Sequence, residues 1–246
     1  MSRSADSGPV LMPHGYTHHT ARRGNVITKT YRGPWGLAGC VRETAALTAL
    51  GGLLPVPRVI AAGPDWLQTE LMPGVHGQDL IAAGLAVPVL AACGRMLRQL
   101  HAVPIPPALR DTALAGSALA RPAATAAPAE TPMALVHGDF GPNNVLLDER
   151  AEAVTAVLDW EWTQAGDPIE DLAWTEFIMR LHHPADVLAL DDFYTGYGTR
   201  PPWPRVQQTI VCRCQSLLKL CQSWQPDGPA ALAWTERIEI ARSWTE

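Results

Sequence analysis

The run His137-Gly138-Asp139-Phe140-Gly141-Pro142-Asn143-Asn144-Val145-Leu146-Leu147 leaves an apolar stretch, crosses a Gly/Pro/Asn loop and ends in a strand-like segment. Fifteen residues past Asn144, Asp159 stands at the end of the next strand-like run, Val154–Leu158. A loop aspartate, an asparagine five residues on and an aspartate beyond the following strand can converge on one point. Phosphoryl transfer needs such a set: a carboxylate to accept the proton of a hydroxyl, and hard oxygen ligands for magnesium bridging the phosphates. Upstream, Lys29 lies in the middle of the β-branched and aromatic run Val26–Tyr31, where a charge is costly unless it is paired or meets phosphate. It is one of only two lysines, and Glu43 follows 14 residues later, early in a helical pattern.

The order His-Gly-Asp-x4-Asn, Leu-Asp-Trp, then Gly166-Asp167-Pro168-x-x-Asp171-Leu172-Ala173 resembles the aminoglycoside phosphotransferase family. That family also includes choline-, homoserine- and macrolide-type kinases, and it shares its fold with the eukaryotic protein kinases. The resemblance covers roughly residues 11–225. It implies an α+β, bilobal protein-kinase-like fold with a small β-rich N-lobe and a larger, mainly helical C-lobe. By the same resemblance Asp139 is the catalytic base, and Asn144 and Asp159 hold Mg2+. His137, Asp167 and Asp171 shape and brace the catalytic loop. Lys29 contacts the α- and β-phosphates, held by Glu43. The hairpin Gly15-Tyr16-Thr17-His18-His19-Thr20 covers the phosphates, with Gly15, Thr17 and Thr20 as donors. Glu70-Leu71-Met72-Pro73-Gly74 is the hinge, where the backbone at Glu70 and Met72 reads the base of ATP or GTP. Leu97-x-x-Leu100-His101 is also family-like.

The elements that must position these residues are legible in outline. Tyr16–Ala21 and Val26–Tyr31 read as strands around a Gly24-Asn25 turn, Val41–Leu50 as a helix stopped by Gly51-Gly52, and Val56–Ala61 and Trp66–Leu71 as short strands. Beyond Pro73-Gly74 the texture becomes helical: Val89–His101 is periodic, residues 103–132 are an Ala/Pro-rich loop with room for one short helix, and Val145–Leu147 and Val154–Leu158 are strands. From Ile169 the pattern is helical, broken by Pro184, Gly196–Gly198, Pro201–Pro204 and Pro226–Pro229. The expected division is a disordered leader over residues 1–10, an N-terminal nucleotide-binding lobe over 11–73 and a C-terminal catalytic and acceptor lobe over 74–246.

Composition narrows the partners. Net charge is +4 over residues 1–137 and −9 over 138–246, so no continuous basic face for nucleic acid is expected. No apolar run is long enough to span a bilayer, and five cysteines without a regular framework fit a reducing cytoplasm. Cys212-x-Cys214 lies in an apolar helical pattern and reads as buried thiols. His18 and His19 read as loop surface. The expected partners are a nucleotide and a small-molecule hydroxyl acceptor, with the chain a monomer or weak homodimer. An aminoglycoside-like acceptor calls for an acidic pocket with an aromatic wall, and Glu161, Glu176, Asp191 and Asp192 are the candidates for it. Tryptophans crowd the same half of the chain. A metabolic or biosynthetic kinase for an amino alcohol, sugar or macrolide is the alternative. A catalytically silent nucleotide-binding protein is a third reading, disfavoured because base, metal ligands, Lys29 and Glu43 are all present.

Overall fold

The computed structural model describes residues 9–13, 18–110 and 133–246. Its N-terminal half is built on a five-stranded antiparallel sheet in the order β1-β2-β3-β5-β4. These are β1 (Val10–Leu11), β2 (His19–Arg23), β3 (Val26–Thr30), β4 (Val59–Ala62) and β5 (Trp66–Glu70). Gly24, at φ +60°, makes the two-residue turn that sets β2 against β3, with Thr20 opposite Lys29. Val10, expected in the leader, is instead strand and pairs with Arg22; residues 1–8, 14–17 and 111–132 lie outside the described residues. Helix α1 (Gly36–Leu50) buries Cys40, Glu43, Leu47 and Leu50 along one stripe. It opens at Gly36 rather than Val41 because its first turn carries none of the apolar spacing that marks the rest.

After β5 the chain crosses Leu71–Gly74 into β6 (Val75–His76), which pairs with Leu146 and Leu147 of the second half. Gly74 sits at φ +132°, and a Cβ there would lie 2.4 Å from Thr155 Oγ1 and 2.8 Å from the Leu147 carbonyl. Only glycine meets both conditions at this crossing. The remaining elements are α2 (Gly77–Ala82), α3 (Ala86–Ala102), α4 (Pro107–Arg110), β7 (Ala134–Val136), β8 (Val145–Leu147), β9 (Val154–Val157) and β10 (Gln164–Gly166). Then come α5 (Ile169–His182), α6 (Leu190–Tyr197), α7 (Trp203–Trp224) and α8 (Pro229–Ser243). The breaks between these last helices fall at the prolines and glycines that mark them in the sequence. Strands β6, β7 and β10 have two or three residues each, too short to leave a period.

One hydrophobic core runs from Tyr31, Leu47 and Leu67 through α3 to Phe140, Val157 and Trp160. A second, smaller core joins α5, α7 and α8 through Trp174, Phe177, Ile210, Cys214 and Ile238. Cys40, Cys93 and Cys214 are buried, Cys212 and Cys221 half-buried, and all five thiols are free. Among the described residues no helix is long and apolar enough to cross a membrane.

Candidate active site

A cavity of about 700 Å³ lies between the two halves. Its lining includes Thr20, Lys29, Glu43, Glu70, Met72, Asp139, Asn144 and Asp159, so eight residues singled out in the sequence meet there. Gly15 and Thr17 lie outside the described residues. Apolar side chains of Ile27, Leu47, Leu67, Leu71, Leu146 and Leu158 form a slot beside the Leu71–Gly74 crossing. Glu70 turns its carboxylate to the Arg58 backbone N–H at 3.2 Å.

Strand β3 delivers Lys29 into this cavity. Its Nζ donates to Glu43 Oε2 at 2.8 Å and to Asp159 Oδ1 at 2.5 Å. Burial alone would lower the Lys29 ammonium; Asp159, Glu43 and Glu161 together outweigh it and hold the group protonated. Tyr31 donates its hydroxyl to the same Glu43 oxygen at 2.5 Å, which fixes the carboxylate from the other side.

Asn144 and Asp159 are set by a β-hairpin. Val145 of β8 faces Val157 of β9, so Asn144 and Asp159 emerge side by side, and the Leu158 N–H donates to the Asn144 carbonyl at 2.8 Å. Asp159 adopts φ +64°, a left-handed conformation rare outside glycine. Such strain persists only where the surroundings over-determine it. Burial pushes its carboxyl upward, but Lys29 beside it overrides this and holds it below its ordinary range.

Asp139 is held at both oxygens. Asn144 Nδ2 donates to Oδ2 at 2.7 Å and to the Asp139 carbonyl at 2.8 Å; Trp174 Nε1 donates to Oδ1 at 2.5 Å. Burial and the neighbouring Asp159 charge push its carboxyl up to about 7, against the lowering pull of Trp174, Asn144 and Arg213. A carboxyl poised near neutrality suits proton acceptance from an alcohol. With Nδ2 committed to Asp139, the Asn144 amide oxygen is left as an acceptor, and Asp159 supplies carboxylate oxygen alongside it. Two adjacent hard oxygen ligands fit a magnesium ion that completes its shell with phosphates and water. Among the described residues no cluster of three or more His, Cys, Asp or Glu side chains could hold a metal ion.

A ring of buried contacts braces the loop. The fully buried Asp171 carboxylate accepts the backbone N–H groups of His137 at 2.7 Å and Gly138 at 2.8 Å, and His101 Nε2 at 3.1 Å. His137 accepts the Asp139 N–H at Nδ1 (3.2 Å) and donates Nε2–H to the Leu158 carbonyl (2.9 Å). Burial keeps its pKa below the ordinary imidazole value, so it serves as a neutral bridge between loop and strand end. Gly138 stands at φ +81° with Trp162 O only 2.4 Å from any added Cβ, and Arg213 caps its carbonyl at 2.9 Å. Asp167 accepts the Ile169 N–H at 3.1 Å and an Arg205 ion pair at 2.8 Å, fixing the start of α5.

The acidic acceptor candidates are placed elsewhere. Glu161 is buried against His18, whose Nε2 donates to it at 2.6 Å while Nδ1 accepts the Arg32 N–H. His18 is therefore an inter-lobe contact rather than loop surface. Glu176 is fully buried and bound by Arg180 and the Tyr194 hydroxyl. Asp191 forms an exposed pair with Arg200 at the start of α6, and Asp192 lies beside it. None of the four lines the cavity. A lone carboxylate in a sequence carries no mark of whether an internal cation will claim it. Trp174, Arg213 and Arg42, which donates to the Glu161 carbonyl at 3.0 Å, had no assigned role in the sequence. Trp174, three residues after Asp171, was legible only as one of many tryptophans.

Comparison with known proteins accords with this geometry. The chain is 28% identical over 152 residues to an aminoglycoside 3'-phosphotransferase of Streptomyces fradiae, covering 49% of this chain and 57% of that protein. It is 30% identical over 92 residues to acyl-CoA dehydrogenase family member 11 of Homo sapiens, 37% of this chain but 11% of that much longer protein. The chain thus spans little more than half, or only a tenth, of these relatives. In three dimensions it superposes on the GDP and kanamycin complex of APH(2")-IIia with a TM-score of 0.72 at 14% identity, over 98% of this chain and 94% of that one. The fold is the bilobal, protein-kinase-like α+β fold of these enzymes. The model of the phosphotransferase enzyme family matches residues 13–118 and 107–208, and the chain belongs to that family.

Proposed function

We propose that the protein transfers the γ-phosphoryl group of ATP or GTP to a hydroxyl of a small molecule, with Asp139 as base. The observation that carries this reading is the convergence of Lys29 from β3, Glu43 from α1, Asp139 and Asn144 from one loop and Asp159 from beyond β9 on one cavity. The apolar slot beside Leu71–Gly74 takes the purine. Lys29 sits where it can meet the α- and β-phosphates. Asn144 and Asp159 hold magnesium, which when bound offsets the charge of the phosphate oxygens. Asp139, fixed at both oxygens, aligns the acceptor hydroxyl and takes its proton as the oxygen closes on phosphorus. The nucleoside diphosphate leaves.

An aminoglycoside acceptor draws support from the Streptomyces fradiae relative and from the kanamycin complex. A polycation would need carboxylates facing it, and the candidates for that role lie outside the cavity.

The test is nucleoside diphosphate release from ATP and from GTP, with magnesium, across aminoglycosides, amino alcohols, sugars and acidic alcohols. Asp139→Asn should cut acceptor-stimulated release by about 10²–10⁴-fold and leave nucleotide affinity nearly intact. Undiminished turnover in that variant would remove Asp139 from its role.

A further inference from the structure

Helices α5 and α8 each contribute to the cavity lining, through His182 and Arg237. Trp174, bonded to Asp139, stacks on Phe177 with ring centroids 4.6 Å apart, and its ring lies 6.2 Å from that of Trp234. The Arg237 guanidinium rests over Trp234, 4.4 Å from the ring centre. Arg237 and His182 both line the cavity, and a chain of ring contacts through Trp234 links Arg237 to the Trp174 indole that donates to Asp139.

The positive charge there is not spent internally. Arg237 makes no ion pair among the described residues. Its neighbours three and four residues away on α8 are Ala233, Trp234, Ile240 and Ala241, none of them acidic. Glu239 pairs with Arg242 instead. The carboxylates that do line the cavity are engaged: Glu43 and Asp159 by Lys29, Glu70 by Arg58, Asp139 by Trp174 and Asn144.

We infer that the acceptor is a hydroxylated compound carrying an anionic group, a carboxylate or a phosphate ester, which Arg237 binds while the reacting hydroxyl faces Asp139. This rests on the phosphotransferase reading above. In the step itself, the acceptor O–H proton passes to Asp139, a bond forms from that oxygen to the γ-phosphorus, and the bond from phosphorus to the β–γ bridging oxygen breaks. The phosphorylated acceptor and nucleoside diphosphate result. A flat guanidinium backed by an indole ring presents its N–H edge to an incoming anion in a fixed plane, which favours two parallel hydrogen bonds.

The experiment measures magnesium-dependent nucleoside diphosphate release by the full chain in four arms: hydroxycarboxylic acids, sugar phosphates, neutral sugars and aminoglycosides. Stimulation by one of the first two arms is expected, and which of them responds identifies the anion. In that arm Arg237→Gln should raise the acceptor KM by about 10–100-fold, the worth of a hydrogen bond to a charged group. The KM for nucleotide should stay as it is. Arg237→Lys, which keeps the charge, should recover part of the loss. Stimulation confined to aminoglycosides or neutral sugars overturns the inference and leaves the phosphotransferase reading standing. An anionic acceptor whose KM is the same in Arg237→Gln overturns it as well. No stimulated release in any arm overturns both.

Discussion

Asp139 is aimed by two donors of different kinds, an amide from its own loop and an indole from α5. Replacing Trp174 with Phe keeps the ring in its stack on Phe177 but deletes the N–H. A hydrogen bond to a charged group is worth about 1.5–3 kcal/mol, so kcat should fall by about tenfold or more. The nucleotide KM should not move, because Trp174 does not line the slot. A fall in nucleotide affinity instead would show that the indole holds up the whole site rather than one carboxylate. Lys29→Ala should weaken ATP binding far more than adenosine binding, as titration with each would reveal, because its ammonium is held by Glu43 and Asp159 rather than set along the apolar slot. At this scale the sequence was most informative where a residue's role needs only its neighbours along the chain. Asp139, Asn144 and Asp159 are tied together by one loop and one hairpin. The fates of Glu161 and Glu176 depend on His18 and Arg180 side chains placed by the tertiary fold, so their spacing held no trace of them.

The hairpin of β8 and β9 fixes Asn144 and Asp159, but the loop before it has no ladder to hold it and relies on the first turn of α5. Asp171, at the start of that helix, satisfies two backbone donors and a histidine with one buried carboxylate. Removing it by Asp171→Ala leaves those donors buried and unpaired, at about 1–3 kcal/mol each. Chemical denaturation should show a loss of several kcal/mol. The pH dependence has a definite sign. Burial pushes the Asp171 carboxyl up, while the hydrogen bond and charge of His101, then His137, pull it below its ordinary value. A carboxylate with a lowered folded pKa stabilises above the unfolded pKa, about 3.9, and that stabilisation fades as pH falls through the folded value. Denaturation midpoints should therefore carry an acid limb below pH 4 that flattens in Asp171→Asn. Element boundaries were readable where period and breakers coincide, as along α3 and the three last helices. The start of α1 and the strands β6, β7 and β10 escaped because nothing repeats within them.

Across the whole molecule, the contacts that join the two halves include Lys29 to Asp159, His18 to Glu161 and Arg42 to the Glu161 backbone. A nucleotide bound between them stabilises the folded chain by mass action, by about 2.7 kcal/mol when present at 100 times its Kd. Magnesium and ATP together should raise the thermal midpoint measurably. In Asp159→Ala the magnesium-dependent part of that rise should vanish, and its persistence would place the metal elsewhere. The two-lobe outline was visible in the change from short strands to helices at Pro73-Gly74, whereas the aromatic and cationic wall that carries Trp174 and Arg237 was not. That wall is made where α5 meets α8, two helices far apart in the chain whose meeting faces only the fold defines. The five free thiols offer a way to watch those helices move. Cys93, in α3, and Cys214, in α7, are buried with thiols pushed up to about 12 by that burial. Only the thiolate reacts with an alkylating reagent, so both should modify at the rate their helices open rather than at the rate of the reagent. Half-buried Cys212 and Cys221 should go first. Peptide-resolved alkylation, run with and without nucleotide, would then chart how firmly each helix is held, using chemistry already present in the chain.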